Sequence, residues 1–229
     1  MKLVLFDCDG TLIDSAAVIH ASMEKTFVEA GLPVPDIGQT KSVIGLTLDV
    51  ALSQMLERDI DDQIMYMVGR YKHHSLTLRA SDACHEPFYE GVWDLLHQLR
   101  RVDDVLLGVV TGKSRRGLDN LIAKHDLGTA IIASRTADEC PSKPHPAMVL
   151  ECCAETGMDP ARTIVIGDAI YDMQMAVNAG ATAVGVDWGY SDHKSLTLAG
   201  AHHVVSDPFQ LLPIIDTLVH QGGSSCVTS

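Results

Sequence analysis

Positive charge is scarce in this chain: 17 lysines and arginines stand against 30 aspartates and glutamates over 229 residues, a formal net charge of −13. That balance argues against nucleic acid, membrane surface or any polyanion as a partner, because such binding rests on Lys and Arg footprints that release counterions. A small anionic substrate is still admissible if a divalent metal and a few locally placed Lys or Arg meet it. Long apolar runs are also missing. No stretch approaches the roughly 18–20 residues that a spanning helix needs, and with only Met1-Lys2 before the first apolar run no signal peptide is expected. The six cysteines, at positions 8, 84, 140, 152, 153 and 226, have neither zinc-ligand spacing nor the pattern of a small disulfide framework. They read as small core fillers, with Cys152 and Cys153 on different faces of a helix, and a reducing cytoplasm is the expected compartment. Internal repeats and long low-complexity segments are absent.

What is present is an alternation of strands and helices with one long interruption. The apolar run Leu3-Val4-Leu5-Phe6 predicts a buried first strand over 2–7. From Ser15 to about Pro87 no strand pattern occurs. Helical periodicity runs over 16–30, which stops at Gly31-Leu32-Pro33, and over about 47–56, 60–80 and 91–100. Met55, Met65 and Met67 are expected in the core of this helical stretch. After Pro87 the spacing predicts strands over 105–111, 130–134, 163–167, 183–186 and 203–205, separated by helices over 115–125, 146–156, 170–179 and 195–199, with a closing helix over 209–219. Such spacing indicates right-handed βαβ units and a parallel sheet buried on both faces. The predicted fold class is therefore α/β, a Rossmann-like doubly wound parallel sheet with an inserted all-helical domain. Boundaries are expected at 1–14 (core), 15–87 (helical cap) and 88–229 (core), with a disordered Gly/Ser-rich tail from Gln221.

Chemistry-bearing residues cluster just beyond the strand ends, where open α/β sheets place their ligands. Asp7-Cys8-Asp9-Gly10-Thr11 follows the first strand, Thr111-Gly112-Lys113 the second, and Gly167-Asp168 the fourth, with Asp172 one helical turn on. Ser142-Lys143-Pro144 lies in the loop before the helix that feeds the fourth strand. These loops converge on one edge of the sheet, so acids, a hydroxyl and an amine would share a cleft. Crowded carboxylates repel, and a hard cation or retained proton must compensate them. Mg2+ takes oxygen ligands at about 2.0–2.1 Å and keeps several waters, which suits Asp7 and Asp168 with the Asp9 main-chain oxygen as a third donor. Asp172 would orient metal-bound water. A carboxylate attacking phosphorus needs charge neutralised nearby, a task for Lys143 beside the metal, while the Thr111 hydroxyl and Gly112 amide would donate to phosphate oxygens.

In order and spacing, the Asp-x-Asp-Gly-Thr, Thr-Gly, Lys-Pro and Gly-Asp-x-x-x-Asp elements resemble the four motifs of the haloacid dehalogenase superfamily. The resemblance spans nearly the whole chain, including a helical cap of the C1 type. It implies a Rossmann-like core with a mobile cap, Asp7 as a nucleophile that forms an aspartyl-phosphate, and Asp9 as the acid that protonates the leaving oxygen and then activates water. Asp9 separates branches of the superfamily. Halide leaves without a proton, whereas an alkoxide needs general acid help typically worth about 10²–10⁴-fold, so the chain resembles a phosphatase and not a dehalogenase. Thr111-Gly112-Lys113 and Gly185-Val186-Asp187-Trp188-Gly189-Tyr190 are similar to phosphoglycolate phosphatase-like members, which implies a small phosphorylated substrate and Mg2+ as cofactor.

Two other readings use the same acids: a β-phosphoglucomutase-like phosphomutase, which would retain the phosphoryl group, and a non-catalytic phosphoryl-ligand binding module. His20 lies one residue further from the first motif than the mutase branch would place it, so it reads as a surface or core histidine. Lys113, Arg115 and Arg116 are candidates to meet a substrate carboxylate, Lys113 foremost. Arg70, Lys72, His73, His74 and Arg79 form a basic cluster of which one or two face the cleft. Cys8 is expected to point inward, and Ser15 and Glu86-Pro87 to mark the hinges. Oligomeric state and the identity of the metabolite are not written in the sequence.

Overall fold

The computed structural model describes residues 1–81 and 85–217. Its organising element is a six-stranded parallel sheet built from β1 (Lys2–Phe6), β2 (Val105–Thr111), β3 (Ile131–Thr136), β4 (Thr163–Gly167), β5 (Thr182–Val186) and β6 (His203–Val205). The order across the sheet is β3-β2-β1-β4-β5-β6, so chain direction across the sheet reverses between β1 and β4. At such a switch point, the crossovers leave in opposite directions and open a crevice at the carboxyl edge. Phe6 pairs with Val109 on one side and Ile166 on the other, so Asp7 leaves β1 beside the last residues of β2 and β4.

Alternating side chains explain why β1 reads as an unbroken apolar run. Val4 and Phe6 enter one buried cluster with Leu95, Leu96 and Leu118. Leu3 and Leu5 enter another, on the opposite face, with Met148, Val149 and Met173. Both faces are covered, so neither register of the pleat can be polar. The helices responsible are α5 (Val92–Leu99), α6 (Arg115–Lys124), α7 (Ala147–Thr156), α8 (Ile170–Ala179), α9 (His193–Leu198) and α10 (Leu211–Thr217). Cys152 and Cys153, expected on different faces, both lie in the second cluster because they share the half of α7 that packs on the sheet and α8, the other half being exposed at Leu150 and Glu151. Cys8 is fully buried and Cys140 nearly so. Cys84 and Cys226 lie outside the described residues.

Between β1 and β2 the chain forms four further helices: α1 (Ala16–Glu29), α2 (Ile37–Lys41), α3 (Leu48–Leu56) and α4 (Asp62–Arg79). Helices α1, α3 and α4 share their own apolar cluster of Met23, Phe27, Leu52, Ile64 and Met67, with Met55 against it. Met65, expected in that core, is 53% exposed on the outer face of α4, and Ile60 precedes the helix in the solvent. The short α2 had no counterpart in the apolar periodicity. Its signal is local, a capping box in which Asp36 accepts from the Gln39 N–H while the Gln39 side chain accepts from the Asp36 N–H.

Other boundaries moved by a few residues. Strand β3 runs on to Thr136, where Glu139 accepts from its N–H and hydroxyl. The closing helix begins as a single tight turn, Pro208–Gln210, capped by Asp207 before α10. Residues 218–219 of that expected helix, and the tail expected to be disordered, lie outside the described residues. Among the described residues no helix is long and apolar enough to cross a membrane.

Candidate active site

The carboxyl ends of β1, β2 and β4 deliver their polar residues into one buried cluster. Asp7 follows Phe6 directly, its N–H donating to Ile166 O at 2.8 Å, so β4 fixes the backbone from which its side chain leaves. Lys143 reaches the same point from the loop before α7. Its ammonium lies 2.7 Å from Asp7 Oδ1 and 2.6 Å from Asp172 Oδ1, with the side chains of all three residues at most 1% exposed. Asp172 stands in the first turn of α8, where its other oxygen accepts the Ala169 N–H at 3.0 Å. A carboxylate there is favoured by the helix dipole as well as by the lysine.

Asp168 closes the group from the end of β4. Its Oδ1 accepts the Thr11 hydroxyl at 2.8 Å and its Oδ2 accepts the Tyr190 N–H at 2.9 Å. Gly10 makes this approach feasible. A Cβ there would fall on the Asp168 carboxylate, and its φ of +92° is a conformation that side chains disfavour. Oxygens of Asp7, Asp168 and Asp172 all lie within 4.8 Å of one another. Three carboxylates against one ammonium leave excess negative charge in a region closed to water. Burial pushes the Asp7 carboxyl up to about 7, against the pull of Lys143. Burial also raises Asp168 well above the usual carboxylate range, with Asp7 and Asp172 adding to the shift. Asp7 Oδ2 is buried with no hydrogen-bond partner. An orphaned anionic oxygen beside two further carboxylates is a donor set for a hard divalent cation.

Asp9 turns the other way. Its Oδ1 accepts the Ser15 hydroxyl at 2.6 Å and faces the Lys113 ammonium at 2.7 Å. Burial would raise this carboxyl, but Lys113 and Arg79 outweigh it and hold it below its ordinary value. Lys113, a candidate for substrate recognition, thus has its amine on Asp9. Thr111 is fully buried, its oxygen accepting the Lys113 N–H at 3.2 Å. Gly112 sits under the inserted helices, and a Cβ there would lie 2.7 Å from the carbonyl oxygens of both Gly45 and Leu46. The Thr47 N–H donates to Ser142 Oγ at 2.9 Å and the Tyr171 hydroxyl donates to Ser42 O at 3.1 Å. The 42–47 loop is therefore seated on the same edge of the sheet as the acids.

Most of the remaining basic residues are engaged elsewhere. Arg70 and His74 bind Glu29, Lys72 lies 3.5 Å from Asp138, and Arg115 binds Glu139 and Ser134. Arg79 donates to Glu86 and to the Ser75 hydroxyl. His20 pairs through Nδ1 with the Thr40 hydroxyl at 2.8 Å, inside the helical insert. Thr11, Ser15 and Tyr190 were not singled out as site residues from the sequence. Thr11 was legible as the last residue of the first motif, whereas Ser15 and Tyr190 gain their place only through contacts between distant segments.

A family model described as haloacid dehalogenase-like hydrolase matches residues 4–186. The chain belongs to this family. It is 30% identical to an N-acetylmuramic acid 6-phosphate phosphatase of Pseudomonas aeruginosa over 94% of this chain and 95% of the relative. It is 28% identical to a phosphoglycolate phosphatase of Pseudomonas putida, covering 93% of this chain and 79% of that one. Among solved structures, a hydrolase from Pseudomonas syringae superimposes with a TM-score of 0.80 at 26% identity, over 95% of this chain and 99% of its own. The expected α/β fold and family hold, and the two curated relatives named above are both phosphatases.

Proposed function

We propose that the chain is a Mg2+-dependent phosphomonoesterase acting on a small phosphorylated metabolite, of the phosphoglycolate or sugar phosphate kind, through an aspartyl-phosphate on Asp7. The observation that carries this reading is the division of labour between two aspartates one residue apart. Asp7 points into the carboxylate and lysine cluster with Oδ2 unpartnered, and Asp9 points onto Ser15 and Lys113. A binding module gains nothing from crowding carboxylates around a phosphate dianion, whereas a nucleophile with a separate acid needs both.

Mg2+ would be held by Asp7, Asp168 and the Asp9 main-chain oxygen with Asp172 beside them, and when bound it neutralises charge on the carboxylates and the phosphoryl group. Lys143 fixes the Asp7 carboxylate and supplies a second positive charge. Asp7 attacks phosphorus as the ester P–O bond breaks, and Asp9 gives its proton to the departing alkoxide. In the second half, water loses a proton to Asp9 and attacks the same phosphorus. The bond to Asp7 breaks, releasing inorganic phosphate and restoring both carboxyl groups. The Thr111 hydroxyl and Gly112 N–H orient phosphoryl oxygens. The inserted helices, over residues 15–87, act as a cap whose 42–47 loop shields the cluster from water and reopens for product release.

The test is phosphate release from a panel of small phosphorylated metabolites with and without Mg2+, for the native protein and Asp7→Ala. Metal-dependent release that disappears in the variant is expected. Turnover at the native rate by Asp7→Ala would refute the nucleophile assignment.

A further inference from the structure

Lys113 and Ser15 lie about a hundred residues apart in the sequence and meet on a single oxygen. Among the described residues, both donors to the Asp9 carboxylate fall on Oδ1: the Ser15 hydroxyl at 2.6 Å and the Lys113 ammonium at 2.7 Å. The arrangement is built from several directions. Ser15 donates its own N–H to the Tyr190 hydroxyl at 3.2 Å, and the two hydroxyl oxygens are 3.4 Å apart. Tyr190 in turn holds Asp168 through its main chain. The Lys113 side chain is only 8% exposed, and its stem crosses the first turn of α6 at Gly117, where a Cβ would lie 2.8 Å from Lys113 Cγ. A glycine inside a helix sacrifices stability relative to alanine, and here it leaves the lysine its path to Asp9. Arg79 and Glu86 add a second ion pair behind the first, at 3.0 Å.

We propose that Lys113 is a positioning residue for proton transfer: with Ser15 it anchors Oδ1 of Asp9 and so presents Oδ2 to the ester oxygen and to water. This rests on the acid and base role of Asp9 proposed above. It departs from substrate recognition by Lys113, which would place the ammonium on a carboxylate of the ligand. The anchored geometry also couples proton transfer to cap position, since Ser15 stands at the start of the insert. An off-axis carboxylate loses rate even when the substrate is still bound.

The experiment compares Lys113→Met, Lys113→Arg and Ser15→Ala on the best alkyl phosphate from the panel and on p-nitrophenyl phosphate, whose leaving group departs with little need of a proton. Because kcat/KM covers the steps up to departure of the alcohol, Lys113→Met is expected to lower it by about tenfold or more on the alkyl ester, a share of the whole general acid effect. The loss on the aryl ester is smaller. Lys113→Arg recovers part of the loss, and Lys113→Met adds nothing in an Asp9→Asn background. Ser15→Ala, which leaves the ion pair in place, shows the same leaving-group bias and keeps the test open if Lys113→Met does not fold. A raised KM with unchanged kcat, equal losses on both esters, or a full additional loss in the Asp9→Asn background would overturn the proposal. Native activity in Asp9→Asn alone would instead overturn the proposed role of Asp9, a separate result.

Discussion

The Lys143 ammonium lies 2.7 Å from the Asp7 carboxylate in a place where neither side chain is more than 1% exposed. Burial lowers the affinity of Lys143 for its proton, but Asp172 and Asp7 outweigh this and keep the amine charged above its ordinary range. Asp172 shares the same ammonium at 2.6 Å, so the lysine and its two buried carboxyl groups stabilise one another only jointly.

Lys143→Met should consequently destabilise the protein as well as silence it. Removing one partner of a buried pair typically costs about 3–5 kcal/mol, because the other charge is left uncompensated, and here two carboxylates would be left. Urea denaturation of the metal-free variant reads the loss. An unfolding midpoint equal to the native one would show that the aspartates take up protons or water at no expense.

Metal affinity should rise with pH. A carboxyl raised by burial to about 7 in the folded protein binds a proton that the unfolded chain has released. Between its ordinary value and 7, the metal-free fold therefore loses stability as pH climbs, since the folded state holds more protons. Binding Mg2+ displaces those protons. The upward shift in Tm on adding saturating Mg2+ should be larger near about pH 8 than near about pH 5.5, and chelation should reverse it. A shift independent of pH would mean that Asp7 and Asp168 are not the ligands.

Gly112→Ala tests the seat of the 42–47 loop. The added methyl would press on the carbonyls of Gly45 and Leu46, both backbone atoms. Overpacking of this kind costs about 1–3 kcal/mol if the loop stays in place. The expected result is a lower Tm and slower phosphate release, measured together. An unchanged rate and Tm would show that the loop yields freely.

Asp9→Asn should leave substrate affinity near native while cutting kcat by about 10²–10⁴-fold, the usual weight of general acid and base help. The substitution keeps the shape that accepts the Ser15 hydroxyl and removes the ability to exchange a proton, together with the charge that faces Lys113. Steady-state kinetics separate the two, and a raised KM with intact kcat would count against the assignment.

Much of this architecture was legible in local pattern. The run Leu3-Val4-Leu5-Phe6 is apolar at every position because both faces of β1 are covered, and burial on both sides writes itself into sequence directly. Asp7 and Asp168 were legible for a related reason, since residues at strand ends in a doubly wound sheet must converge, and Lys143 lies in a loop that returns to the same edge. Met65 departs from the expected core because α4 carries apolar residues on its outer face as well, which periodicity does not distinguish from core. Helix α2 was missed because five residues give too short a window for any period.

Sequence alone determined the order of the strands and longer helices, the parallel sheet and the carboxylates at its edge, because alternation and strand-end position are properties of short segments. The tertiary structure decided which way each acid turns. Asp7 and Asp9 are separated by one residue and equal in chemistry, yet Lys143 and Asp172 meet the first while Ser15 and Lys113 meet the second. Those partners come from distant parts of the chain, and a buried charge is held by whichever counter-charge folding brings to it.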